Sequence, residues 1–163
     1  MQMPSRPAPR PLQLGSMPYL NAGVLIEDVG AGGGIRLERH PPSRLAALLK
    51  EGSLDAAILP SVDYLAHQQR WAIAAPYGIA AEGPVWTVKV FSPHPWPAIQ
   101  RLVVDSESHT SAALAGVLLW RAGSHATQFV TPAEDVRTSG VGTARLLVGD
   151  KALHGPQAKF VCD

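Results

Sequence analysis

The chain lacks most of the features that would point directly to a chemistry. It has one cysteine, Cys162, in 163 residues, which excludes an internal disulfide and a cysteine metal cluster. Its 14 Lys and Arg balance 13 Asp and Glu to a net +1 with no basic run, so no nucleic acid partner is implied. No apolar run approaches the roughly 20 residues that span a bilayer, so no membrane partner is expected. The six histidines, at 40, 67, 94, 109, 125 and 154, show no metal-ligand spacing, and no metal site is expected. A phosphate-cradling lysine motif is also missing. Gly30-Ala31-Gly32-Gly33-Gly34 does not have the G-x-G-x-x-G spacing, and Ile35-Arg36-Leu37-Glu38 after it alternates like a strand, so a turn is expected there. Met1 to Pro11 carries four prolines and two arginines without the apolar core of a secretory signal. A disordered lead-in and a cytoplasmic protein follow as expectations, and the sparse cysteine agrees with them.

What remains is the composition of a globular protein, 46% hydrophobic and 17% charged, with length for one ordinary domain or two small lobes. The organising stretch is Gly15-Ser16-Met17-Pro18-Tyr19-Leu20-Asn21-Ala22. A strand-like run with Leu12 and Leu14 leads into it. Pro18 disfavours helix at Met17, and a helix can begin near Asn21 and continue into Val24-Leu25-Ile26. Strand, tight polar loop and helix start is an arrangement whose free amide N–H groups favour an anion.

That arrangement recurs twice. Pro42 to Gly52 reads as a packing helix, with Ser43 as N-cap, leucines 45, 48 and 49 on one face and Gly52 at the exit. Leu54 to Leu59 reads as a buried strand, which completes a strand–helix–strand unit with a parallel sheet. It ends in Pro60-Ser61-Val62-Asp63, where Ser61 can cap the next helix and Asp63 sits in the first turn. Trp71 to Ala81 suggests strand and turn, and Glu82-Gly83-Pro84 a turn before a β-rich run to Ser92 in which Val85, Thr87, Lys89 and Phe91 share a face. Three prolines within Ser92–Pro97 mark a boundary. Leu102 to Asp105 then leads through Ser106-Glu107-Ser108-His109-Thr110-Ser111 into a helix through Trp120, its faces marked by Leu114, Val117, Leu118 and Arg121. Thr131-Pro132-Ala133-Glu134 has capping-box spacing, Gly140 and Gly142 make a turn, and Leu146-Leu147-Val148 is a further strand.

In open parallel sheets, ligands bind where loops leave the carboxyl ends of strands. That edge would present Tyr19 and Asn21, then Ser61, then Ser108 to Ser111: neutral hydrogen-bonding groups and helix-end amides, suited to a small carboxylate ligand. Asp105, His109 and Ser111 lie on one short loop, whereas a catalytic triad needs a separate base aligned with both partners. His109 is open to a general-base role, with a hydrogen-bonder at the helix end as the favoured reading.

The ordered set Pro18-Tyr19-Leu20-Asn21-Ala22, Gly52 to Asp55 with Ala57 and Pro60-Ser61, Gly83-Pro84-Val85, and Gly149-Asp150-Lys151-Ala152-Leu153 resembles the chorismate dehydratases of the futalosine route to menaquinone. Ser108-His109-Thr110-Ser111 is similar to that family's Ser-Arg-Thr-Ser loop, with histidine for the usual arginine, and the likeness runs from Leu12 to the last residue. The resemblance implies an α/β fold like the type 2 periplasmic binding proteins, two lobes with a central cleft. Because the family's members continue further, the C-terminal part of lobe 1 is expected to be absent. In this division residues 1–11 are the lead-in, 12–92 lobe 1 and the crossing strand, and 93–163 lobe 2.

It further implies a dicarboxylate substrate, chorismate, and loss of water to give 3-enolpyruvylbenzoate with no cofactor. Asn21 and Thr87 would be catalytic, and Ser16, Tyr19, Ser61, Gly83, Pro84, Ser108, His109, Thr110 and Ser111 would bind substrate. A homodimer is the assembly it leaves room for. Two other readings share the fold: a cytoplasmic solute-binding protein, and the later naphthoate synthase of the same pathway. The missing signal peptide and lipidation cysteine weigh against the first, and Gly83-Pro84-Val85 with the Asn21 motif against the second.

Overall fold

A computed structural model describes residues 10–30, 32–105, 108–135 and 142–163. Most of the expected lead-in, Ala31 of the glycine-rich turn, Ser106 and Glu107 of the third loop, and Gly140 lie outside the described residues. The architecture is mixed α/β, and the chain divides into two compact units. The first holds the described residues up to Leu59 together with Trp71–Ile79, and the second holds Pro60–Arg70 and Ala80–Asp163.

In the first unit, β1 (Leu12–Ser16) leads to the single-turn helix α1 (Leu20–Gly23), followed by β2 (Ile35–Arg39), α2 (Pro42–Glu51) and the two-residue β3 (Ala56–Ala57). The strands lie in the order β2-β1-β3, all parallel, with Leu14 opposite both Leu37 and Ala56. This is the expected strand–helix–strand unit. Leu45, Leu48 and Leu54 form its core, with Met17, Leu49, Ala57 and Leu59 against them. Gly15 makes this packing possible: a Cβ there would stand 2.6 Å from both Leu45 Cδ2 and Leu54 Cδ1, so only glycine lets α2 approach β1 this closely.

Several local details differ from the sequence reading. α2 starts two residues before the position a Ser43 cap would give, with Pro41 as N-cap and Pro42 inside the first turn, so Ser43 is not the cap. Proline loses nothing there, because the first-turn N–H groups have no helical acceptor. Gly52 ends the helix in the left-handed region (φ 77°), and the Ser53 N–H reaches back to the Leu48 carbonyl at 3.0 Å. After α1 the chain makes successive three-residue turns (Leu25 to Ala22, Ile26 to Gly23) instead of extending a helix. Trp71–Ala81 forms no strand, and Ile73 and Tyr77 there are largely exposed.

The second unit contains α3 (Ser61–His67), β4 (Val88–Ser92), a 3-10 turn (Trp96–Ala98), β5 (Arg101–Val104), α4 (His109–Arg121), β6 (Gln128–Val130), α5 (Pro132–Asp135), β7 (Thr143–Val148), α6 (Asp150–Leu153) and β8 (Phe160–Cys162). Its sheet runs β6-β5-β7-β4-β8. β5 is parallel to β6 and β7, whereas β4 is antiparallel to both its neighbours, β7 and β8. β4 is thus an interior strand and not an edge, because β8, formed by the last residues, covers its other side.

Val90, Ile99, Leu102, Ala115, Leu119, Ala144 and Leu146 make the core of this unit. Ala112, Ala115 and Leu119 turn the α4 face toward the sheet, while Leu114 and Val117, read from the sequence as face markers, are each 56% exposed. Small residues at the contact let the helix lie close, and the bulkier ones are left outside. Half of the Thr131 capping box forms: Glu134 accepts from the Thr131 N–H (2.7 Å) and also from its hydroxyl (2.9 Å), while the Glu134 N–H donates to the Thr131 carbonyl. No helix among the described residues is long and apolar enough to cross a membrane.

Candidate functional site

The parallel strands β5 and β7 are neighbours, and each runs at its C-terminal end into a helix, β5 into α4 and β7 through Gly149 into α6. β4 runs the other way beside β7, with Val88 opposite Val148, so its beginning lies at the same edge of the sheet. Thr87 directly precedes β4, and its carbonyl accepts the Gly149 N–H at 2.8 Å. Topology therefore collects Thr87, the Gly149–Lys151 turn and the Ser108–Ser111 opening of α4 along one edge, where α/β sheets hold ligands.

Ser108 is the N-cap of α4, and its carbonyl accepts the Ala112 N–H at 2.8 Å. Its hydroxyl makes no capping bond; it is buried and has no hydrogen-bond partner among the described residues. His109 and Thr110 follow in the first turn, with Thr110 exposed and Ser111 half-buried.

The imidazole of His109 is held from another element. Its Nδ1 lies 3.0 and 3.1 Å from the two carboxylate oxygens of Asp63, in the first turn of α3. Asp105, the neighbour that a triad reading would have used, instead accepts from Lys151 Nζ at 2.5 Å. The Asp63–His109 pair spans 46 residues of sequence, so no local motif could have signalled it. Ser61 is brought to this region by α3, yet it is the first helical residue and not the cap; Pro60 holds the cap position, and the Ser61 side chain is exposed. Gly83 (φ 88°) and Pro84 form the bend before Val85, whose N–H donates to the Asp163 carboxylate at 2.7 Å.

The remaining sequence-derived candidates belong to the first unit. Asn21 is exposed in α1, and Tyr19 caps that helix with extended backbone (φ −101°, ψ 148°). Ser16 is fully buried, with Oγ 3.3 Å from the Met17 carbonyl. Its own carbonyl accepts the His40 N–H at 3.0 Å, which fixes the end of β1 before the polar loop.

Charge elsewhere is structural. Arg10 clasps Asp55 with contacts of 2.7 and 2.5 Å, and that hydrogen bond, with a second from the Gln13 N–H, holds the Asp55 carboxyl below the usual carboxylate range. The Thr131 N–H, then its hydroxyl, do the same for Glu134. Among the described residues no group of three or more His, Cys, Asp or Glu is placed to hold a metal ion. A hollow lined by Gln100, Arg101, Ala126 and Gln128 opens at the opposite edge of the second sheet, where β5 and β6 begin.

A family model described as menaquinone biosynthesis matches residues 12–163. The chain is also 30% identical over 149 residues to a chorismate dehydratase of Thermus thermophilus, an alignment covering 88% of this chain and 52% of that protein. It thus spans about half the length of the curated relative it matches. With almost every residue from β1 to the last strand inside the match, the chain belongs to the menaquinone biosynthesis family.

Proposed function

We propose that the protein is a cytoplasmic chorismate dehydratase that takes chorismate to 3-enolpyruvylbenzoate and water without a cofactor. The observation that carries this reading is the 30% identity, over 88% of this chain, to a protein bearing that name. A type 2 periplasmic-binding-protein-like fold for the whole protein accounts for two α/β units in one chain. The hydroxyl groups and helix-end amides along that edge of the second sheet suit a carboxylate ligand.

The reaction is an elimination. A base removes the hydrogen from the ring carbon that bears the enolpyruvyl ether, and the C–H electron pair becomes the new ring double bond. The neighbouring hydroxyl departs and takes up a proton as water. A cyclohexadiene becomes a benzene ring, so aromatisation drives the step, and the enzyme's task is chiefly orientation. The Ser108–Ser111 loop holds a substrate carboxylate through the Ser108, Thr110 and Ser111 groups and the His109 ring. Asn21 and Thr87 hydrogen-bond near the reacting carbons, with Ser16, Tyr19, Ser61, Gly83 and Pro84 shaping the surroundings. No carboxylate of the chain is assigned as base: Asp105 is engaged by Lys151 and Asp63 by His109. The substrate's own enolpyruvyl carboxylate fills that role.

Incubation with chorismate, followed by mass and absorbance, tests the reading: an aromatic enolpyruvyl ether lighter than chorismate by one water is expected. Tight binding without conversion would indicate a solute-binding protein, and no binding would indicate the later naphthoate synthase.

A further inference from the structure

Resting on the reading above, we infer that Asp63 is a positioning residue for His109: it takes the Nδ1 hydrogen, fixes the ring at the first turn of α4, and leaves Nε2 as the atom that meets the substrate carboxylate. Three observations carry this. Both oxygens of Asp63 lie within hydrogen-bond distance of Nδ1, at 3.0 and 3.1 Å. An ionised carboxylate only accepts, so the hydrogen of that contact resides on the ring nitrogen. The pair is also sheltered, with Asp63 16% and His109 35% exposed, so it is more than a mobile surface contact. Finally, Asp63 is itself anchored: its N–H donates to the Pro60 carbonyl at 3.1 Å, and its own carbonyl lies 3.0 Å from Nδ1 of His67. α3 therefore presents the carboxylate from a fixed turn.

The arrangement has a chemical consequence for the loop. A bare carboxylate beside a site for another carboxylate would repel it. On substrate binding the ring takes a second proton, from solvent, onto Nε2; Asp63 then accepts from Nδ1 and the substrate accepts from Nε2, so one imidazolium joins two acceptors. Ser108 Oγ, on the adjoining residue and without a partner among the described residues, supplies a further donor at the same turn. Histidine thereby serves at a position where the family resemblance expects arginine, but only with Asp63 in place.

Two measurements test the inference. In protein labelled with 15N-histidine, a long-range 1H–15N correlation spectrum, assigned with His109→Gln, is expected to show a hydrogen on Nδ1 of His109. In Asp63→Ala that hydrogen moves to Nε2, and Asp63→Glu restores it. A wild-type ring with a bare Nδ1 would overturn the inference whatever the variants do. In steady state, Asp63→Ala raises KM for chorismate about tenfold, the scale of one charge-assisted hydrogen bond, with kcat within about twofold. His109→Ala, which leaves the Asp63 carboxylate bare, raises KM at least as much, and the double variant is no worse than His109→Ala alone. Effects that multiply would contradict a shared role. If the wild type neither binds nor converts chorismate, the functional reading fails while the ring-proton result still decides the Asp63–His109 link.

Discussion

Leu119→Ala tests whether α4, the helix that carries the Ser108–Ser111 loop, is held by its inner face. Leu119 is fully buried among Ile99, Leu102, Ala115, Ala144 and Leu146. The substitution removes three carbons, worth about 2.4 kcal/mol at ~0.8 per buried methylene. Of these neighbours Leu102, Ala144 and Leu146 lie on strands tied by ladder hydrogen bonds, so the site collapses little and a cavity term adds to that loss. The expected cost is about 3 kcal/mol, a large part of the ~5–15 kcal/mol that holds a typical protein folded. Leu114→Ala on the same helix is the control: the side chain is 56% exposed, and a cost of about 1 kcal/mol or less follows. Urea unfolding followed by far-ultraviolet circular dichroism and tryptophan fluorescence reads both values. Equal costs, or a Leu119→Ala cost below about 1 kcal/mol, would refute the packing argument.

Gly15→Ala places a methyl 2.6 Å from two core leucines, and a loss of about 1–3 kcal/mol in urea unfolding is expected; a neutral result would contradict the close approach of α2. The lowered Asp55 and Glu134 carboxyls stabilise the fold at neutral pH, because the folded state holds these groups ionised more firmly than the unfolded chain does. That contribution is complete above the ordinary carboxylate range and disappears as pH falls through the folded values. The gap in urea midpoint between wild type and Asp55→Asn, or Glu134→Gln, should therefore narrow toward zero on acidification, and high salt should shrink the Asp55 effect at neutral pH. On the proposed function, Asn21→Ala lowers kcat on chorismate about a hundredfold with the fold intact by circular dichroism, as expected for one transition-state hydrogen bond.

Much of the fold is legible in local pattern. Alternating strand and helix signals with glycine and proline punctuation give α/β parallel units, and α2, β5, α4 and β7 fall where periodicity places them. Caps were misjudged for one reason: at both Ser43 and Ser61 a preceding proline takes the cap position and shifts the serine inside the helix. β8 is invisible locally because its three residues become a strand only by pairing with β4. The face markers of α4 do not by themselves tell which side is buried: Ala112, Ala115 and Leu119 carry the contact, and Leu114 and Val117 lie outside it. At the candidate site, Ser108 to Ser111 reads from the sequence as a loop before the helix, whereas Ser108 is the N-cap of α4 and residues 109–111 form its first turn. The Asp63–His109 pair is not legible in the sequence, because it is made by two helices meeting in space. In the sequence Asp63 reads only as a favourable charge in its own helix, whereas its carboxylate contacts His109 of the next one.

The most direct measurement is a titration of 15N-labelled protein with 3-enolpyruvylbenzoate, following backbone amide shifts. The account predicts saturable changes at Ser108–Ala112, Thr87 and Gly149, along the edge where β5 and β7 end. Changes confined to Gln100, Arg101, Ala126 and Gln128 at the opposite edge, or none at all, would contradict it.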